Sequence, residues 1–203
     1  MTETREQWLS QAAEALASRV LADAELEAPA NRRVSCGWPS KAALSRTRRT
    51  IGQCWPPEAS ADGTIEHFVS PVLADPVEVL DTLTHELIHG AVGCEKKHGP
   101  AFKRACDKAG LVGKPTANSA GPELWVTLDA IAAELGPYPH AKLDKDVMPK
   151  QGTRLIKVEC PACGYTVRTT RKWIEVGLPT CPCKTEMEVA GQWRRLRLGS
   201  GGG

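Results

Sequence analysis

Apolar and polar positions follow two rhythms along this chain, one of three to four residues and one of two. Over 5–27 the apolar residues Trp8, Leu9, Ala12, Leu16 and Val20 recur at helical steps, broken only by Arg19, and predict an amphipathic helix. Pro29 and Asn31 end it. The stretch 32–70 reads as a small sheet. Its strands are VSCGW at 34–38, TRRTIGQCW at 47–55 and TIEHFVS at 64–70, the last alternating side to side. Pro56-Pro57 and Ala61-Asp62-Gly63 mark the turn before that last strand. Asp75-Pro76 opens a second helix, with Asp75 as N-cap and Pro76 at its first position. It runs from Val77 to about Val92, and Gly93 stops it. A short helix over 100–109 closes at Gly110, and another over 122–135 starts at Pro122 and stops at Gly136.

The remainder divides by composition. Residues 136–152 hold turn formers and no apolar period, so they read as a linker. Residues 153–198 carry the short strands LIKVEC, GYTVRTT and EMEVAGQWRRLRL, and 199–203 are a glycine-rich flexible tail. The expected organisation is a body of 1–135, the linker, a small module and the tail. There is no internal repeat.

Composition narrows the class. Of 203 residues, 41% are hydrophobic and 25% charged, values that exclude wholesale disorder. No apolar run approaches the roughly 18 residues of a membrane span. The charged, amphipathic N-terminus lacks the pattern of a signal peptide. The expected location is therefore intracellular, where eight cysteines point to metal or packing before disulfides. The net charge of +2 hides an asymmetry. Residues 151–203 hold nine Lys/Arg against four Glu, while 1–150 are slightly acidic, which suggests a polyanion partner for the basic part.

The strongest chemical signal is His85-Glu86-Leu87-Ile88-His89 on the second helix. Positions i and i+4 share a helix face, so His85 and His89 can hold one zinc ion. Glu86, one step round, can reach a water on that metal. Zinc acidifies such a water and polarises a peptide carbonyl. Glu86 would take the proton during attack and deliver it to the leaving amine. Val79, Leu80, Leu83, Leu87, Ile88 and Val92 make the helix largely buried, where two histidines and a glutamate without a metal would be costly.

The third ligand is less determined. A metzincin would need Gly at 92 and His at 95, and this chain has Val92 and Glu95. A glutamate from a later helix, Glu123 or Glu134, is one alternative and Glu95 another. His98 is nearer, because Gly93 and the polar run Cys94-Glu95-Lys96-Lys97 let the chain turn back toward the metal. Cys94 is a further candidate as a fourth, inhibitory ligand.

THELIHG followed by HGPAF resembles the SprT-like zinc metallopeptidases, which include DNA–protein crosslink proteases. Their pattern is HExxH, a short insert, then His-Gly-x-x-Phe, and His85, Glu86, His89, His98, Gly99 and Phe102 match it. The resemblance covers about 32–110 well. It implies an α+β fold, a minimal zincin-like metalloprotease domain with a small sheet packed on helices, and His98 as zinc ligand. In zincins an edge strand aligns the substrate, and 64–70, carrying His67, is the expected one. His67 itself reads first as a partly exposed strand residue and second as a substrate or oxyanion contact.

Cys160-Pro-Ala-Cys163 and Cys181-Pro-Cys183 supply four thiolates, the set for a structural tetrahedral zinc. So short a module lacks core, and the metal would supply much of its folding energy. The one-residue gap in the second pair predicts a distorted knuckle. A C-terminal zinc ribbon is also common among SprT-like proteins. Arg168, Arg171, Lys172, Arg194, Arg195 and Arg197, with Tyr165, Trp173 and Trp193 among them, are candidates for phosphate contacts and base stacking. The competing reading makes those aromatics the ribbon's own core. Lys41, Arg46, Arg48 and Arg49 form a second basic group.

The sequence thus predicts a monomeric zinc endopeptidase with one catalytic and one structural Zn2+. Its expected partners are a protein or peptide substrate and DNA, single-stranded or junction-containing, with no membrane. By resemblance, the substrate is protein bound or crosslinked to DNA. Two rivals stand beside this: a protease with no DNA role, and a non-enzymatic nucleic-acid or transcription-associated factor on a metal-stabilised scaffold.

Overall fold

Thr4 starts the first helix. Its hydroxyl accepts from the Gln7 backbone N–H while the Gln7 side chain accepts from the Thr4 N–H, a reciprocal capping box. The helix, α1 (Arg5–Leu16), passes into a π-wound turn, Ala17–Leu21, and ends before Glu25, whose φ is 57°. The predicted helix over 5–27 is therefore shorter and underwound at its end, where the neighbours Val20 and Leu21 are both buried. This computed structural model describes residues 4–45, 49–144, 146–147 and 155–190. Arg46, Arg48, Trp193, Arg194, Arg195, Arg197, the tail and parts of the 47–55 strand and the linker lie outside the described residues.

The chain folds as two units, Met1–Val147 and Met148–Gly203, in a mixed α+β arrangement of small sheets and helices. In the first, β1 (Arg32–Cys36), β2 (Gly52–Trp55) and β3 (Ile65–Val69) form one sheet in the order β1-β3-β2. β3 runs parallel to β1, with Val34 opposite His67, and antiparallel to β2, with Cys54 opposite His67. The strand expected to align substrate is thus the central one, paired on both sides. The edges are β1 and β2. Alternation along 64–70 marks a strand but carries no information about its neighbours.

Against this sheet lies α2 (Pro76–Val92), which begins and stops where its local signals place it. Asp75 Oδ1 accepts from the backbone N–H groups of Val77 and Glu78, and Gly93 follows with φ 95°. A side chain at Gly93 would strike the Glu95 carboxylate as well as strain the backbone, so glycine suits this stop. Leu80, Leu83, Leu87 and Ile88 are fully buried, each contributing about 2 kcal/mol of burial and anchoring the helix by one face. Trp8, Leu9 and Leu16 of α1 join the same core. So do Phe102 of α3 (Pro100–Lys108) and Leu128 and Ile131 of α4 (Pro122–Leu135).

Between α3 and α4 runs a hairpin that the apolar pattern does not announce, β4 (Leu111–Lys114) and β5 (Ala117–Ala120). Asp81 Oδ1, on α2, accepts from the Ala120 N–H at 2.8 Å and ties the hairpin to the helix. The start of the stretch read as a linker also packs on the body. Trp8 Nε1 donates to the Gly136 carbonyl at 3.1 Å, the Tyr138 ring lies 4.9 Å from that of Trp8, and Leu143 N–H donates to the Pro71 carbonyl.

The second unit has a sheet of β6 (Ile156–Glu159), β7 (Thr166–Thr169) and β8 (Glu188–Val189) in the order β7-β6-β8, with a short helix α5 (Arg171–Val176) after β7. Its core is small: Val158, Ile174 and Met187 with Cys160 and Cys181. Among the described residues no helix is long and apolar enough to cross a membrane.

Candidate metal centres

α2 carries three of the residues that make the first centre, and the turn after it returns the fourth. Left-handed backbone at Gly93 (φ 95°) and Lys97 (φ 49°) brackets the short turn Cys94–Lys96 and folds the chain back, so that His98 faces the helix. His98 Nε2 then stands 3.3 Å from His89 Nε2 and 3.4 Å from His85 Nε2. A tetrahedral ion with Zn–N bonds of about 2.0–2.1 Å needs nitrogens about 3.3–3.4 Å apart, which both of these separations match. Glu95, Glu123, Glu134 and Cys94 do not join the group. Glu95 turns to Lys96, Glu134 pairs with Arg19, and the Cys94 sulfur points at Cys54.

Two neighbours hold the imidazoles. The buried Phe102 ring lies under all three, stacked on His89 at 3.9 Å and tilted against His85 and His98 at 4.9 and 5.2 Å. Asn118, on β5, accepts from His85 Nδ1 at 2.6 Å, which fixes the tautomer and leaves Nε2 free to ligate. Sequence reasoning missed Asn118 because its hairpin leaves no periodic trace. Burial is the main reason the imidazole pKa values fall, to about 4 at His85, about 3 at His89 and below the ordinary value at His98. All three are neutral at pH 7, the form that binds a metal.

Glu86 faces the other way, toward β2. It is buried, and burial first, then the nearby Cys94, pushes its carboxyl up to about 8, while the Cys54 backbone N–H favours the charged form. A divalent cation beside it would restore the carboxylate. β2 can approach only because residue 52 is glycine: a Cβ there would sit 2.4 Å from Glu86 Oε1 and 2.8 Å from Thr82 Cγ2. His67 is not the partly exposed strand residue expected: as the central strand's residue facing α2 it is fully buried against Gly90. Neither of its ring nitrogens makes a hydrogen bond. Burial and the charge of Arg32 lower its pKa to about 4, and the nearby Glu86 carbonyl offsets only part of this.

Compared with models of known protein families, with curated proteins and with solved structures, the chain has no match. The geometry of the two centres therefore carries the functional reading.

The second centre is the cysteine cluster of the second unit. Cys160 Sγ lies 3.5 Å from Cys183 Sγ, and Cys163 Sγ lies 3.5 Å from Cys181 Sγ. Thiolates at about 2.3 Å from a tetrahedral ion would stand about 3.8 Å apart, a small expansion from what is seen. The two knuckles differ by one residue. In the first, Gly164 N–H donates to the Cys160 carbonyl, with Gly164 at φ 76°. In the second, Lys184 N–H donates to the Cys181 carbonyl, one residue tighter, and Lys184 takes the left-handed conformation at φ 68°. The missing residue is thus absorbed by a shorter turn and by strain at a residue with a Cβ.

The candidate nucleic-acid residues that are described lie around α5. Arg168 is on β7, opposite Lys157 of β6, and Arg171, Lys172 and Trp173 form the first turn of α5. Trp173 and Tyr165 are 56% and 50% exposed, so neither is the core of this unit, which Val158, Ile174 and Met187 supply instead. Lys172 Nζ sits 5.1 Å from the centre of the Trp173 ring.

Proposed function

We propose that the chain is a zinc-dependent endopeptidase of the SprT-like type, a minimal zincin-like body followed by a zinc ribbon, acting on proteins bound or crosslinked to DNA. The observation that carries this reading is the convergence of the three imidazoles of His85, His89 and His98, with the buried Glu86 next to His85 on the same helix. His85, His89 and His98 would hold the catalytic ion, and Cys160, Cys163, Cys181 and Cys183 the structural one. When bound, zinc would supply a Lewis acid that acidifies water and polarises a carbonyl.

The chain's own residues do the rest. Glu86 takes a proton from the attacking water on its carboxylate oxygen and hands it to the departing amine. The Cys54 N–H steadies the charged form of Glu86 before the transfer. Asn118 and Phe102 keep the imidazoles from turning, so that Glu86 and the ligands hold one geometry. β2, an edge strand running past Glu86, offers an extended peptide a partner and orients its scissile bond. His67, central and buried, does not contact substrate in this reading.

The step to DNA-bound substrates is supported by the SprT-like motif spacing and by exposed Trp173 and Tyr165 among cations, which suit stacking on unpaired bases. It is tested by cleavage of a DNA-binding protein with and without single-stranded DNA. Stimulation by DNA that Trp173→Ala weakens supports this substrate class. Equal cleavage in both conditions keeps the peptidase and removes the DNA role.

A further inference from the structure

Beside the histidine centre two thiols meet. Cys54 lies on the edge strand β2 and Cys94 opens the turn that leads to His98, and their sulfurs are 2.6 Å apart. That is well inside the distance two sulfurs keep when they merely touch. Both side chains are half-buried and line an opening of about 480 Å3, with Trp55, Glu58 and Glu95 on its walls. A small molecule can therefore reach the pair from solvent.

We propose that Cys54 and Cys94 are a redox pair, closed to a reversible disulfide by a hydroperoxide that enters this opening. The bond would tie the edge strand backing Glu86 to the turn carrying His98. Only about 0.6 Å of approach separates the sulfurs from a bond of about 2.05 Å, within reach of side-chain rotation. The hydrogen bond between the two sulfurs holds the Cys94 thiol below its ordinary value and pushes Cys54 up. Cys94 is thus the attacking thiolate. Its sulfur takes one oxygen of the peroxide, the O–O bond breaks, and hydroxide leaves and is protonated to water. Cys54 then attacks the resulting sulfenic acid, the S–O bond breaks, and a second water leaves. In sum, two thiols give two electrons to one hydrogen peroxide and yield one disulfide and two waters. The acidic walls, Glu58 and Glu95, favour a neutral peroxide over an anionic disulfide such as oxidised glutathione. The pairing does not depend on what the histidine centre hydrolyses.

The test treats the metal-loaded full chain with one equivalent of hydrogen peroxide, alkylates the remaining thiols, and digests with trypsin and a glutamyl endopeptidase. Cleavage after Arg49, Glu58, Glu86 and Glu95 puts the two cysteines on separate peptides, 50–58 and 87–95. The expected product is these peptides joined, two hydrogens lighter than their sum, and separated again by dithiothreitol. In Cys54→Ser the same treatment leaves Cys94 as a sulfenic acid that dimedone traps. Recovery of both peptides alkylated and unjoined, with oxidation at Cys36, Cys106 or the four-cysteine cluster instead, overturns the proposal. So does direct over-oxidation of Cys94 without a disulfide in the wild type.

Discussion

A single methyl group at Gly52 should disable the histidine centre without touching a ligand. The Gly52 backbone lies outside the left-handed region, so Gly52→Ala is conformationally tolerated and would by itself stabilise the fold by about 0.4–1 kcal/mol through the unfolded chain. The new Cβ, however, would stand 2.4 Å from Glu86 Oε1, 2.8 Å from Glu86 Cγ and 2.8 Å from Thr82 Cγ2. Ordinary contact needs separations about 1 Å longer at the first of these. Either β2 retreats or Glu86 is pushed aside by that amount. Overpacking of this kind costs about 1–3 kcal/mol, so the net expectation is a protein less stable by about 1–2 kcal/mol. Displacing a reacting group by 1 Å lowers kcat/KM by about 100-fold. The assay compares peptide cleavage, metal content and thermal unfolding of Gly52→Ala with those of Gly177→Ala, where an added Cβ meets nothing. Full metal occupancy with the loss in kcat/KM is the expected result. Wild-type cleavage and stability in Gly52→Ala would refute the placement of Glu86 against β2.

Asn118→Ala frees the Nδ1 side of His85, and metal affinity at the histidine centre should fall by about 10- to 100-fold in a chelator competition, with the four-cysteine site unchanged. His67 predicts a pH dependence. Its folded pKa of about 4 lies below the ordinary 6.5, so the unfolded chain binds the proton first and stability is lost as pH falls from 6.5 toward 4. That shift amounts to about 3 kcal/mol, and denaturant unfolding of wild type against His67→Leu should show the difference between them change by this amount across that window. Lys184→Gly relieves the left-handed strain in the shorter knuckle and should stabilise the metal-loaded second unit by about 0.5–1 kcal/mol, read as a raised melting temperature.

Local signals made much of this molecule legible. Asp75-Pro76 and Gly93 bound α2 because caps act within a few residues, and the i, i+4 spacing of His85 and His89 follows from helix geometry alone. The polar run after Gly93 pointed to a returning chain, and His98 does come back to the helix. What escaped depends on partners distant in sequence. The central place of β3 and the edge position of β2 come from pairing across 33 residues with β1 and across 11 to 17 residues with β2. The β4–β5 hairpin has too few apolar residues to alternate, yet it delivers Asn118. α5 is too short to show a helical period, and so the exposure of Trp173 was not readable from its neighbours. The meeting of Cys54 and Cys94, 40 residues apart, is likewise a product of packing.

Metal content and proteolysis, measured on the same samples of wild type and Glu86→Gln, test most directly whether the three histidines and Glu86 form one hydrolytic centre. The expected result is equal metal in both proteins, with cleavage of a protein substrate reduced at least about 100-fold in Glu86→Gln. Cleavage at the wild-type rate by a metal-loaded Glu86→Gln would contradict it.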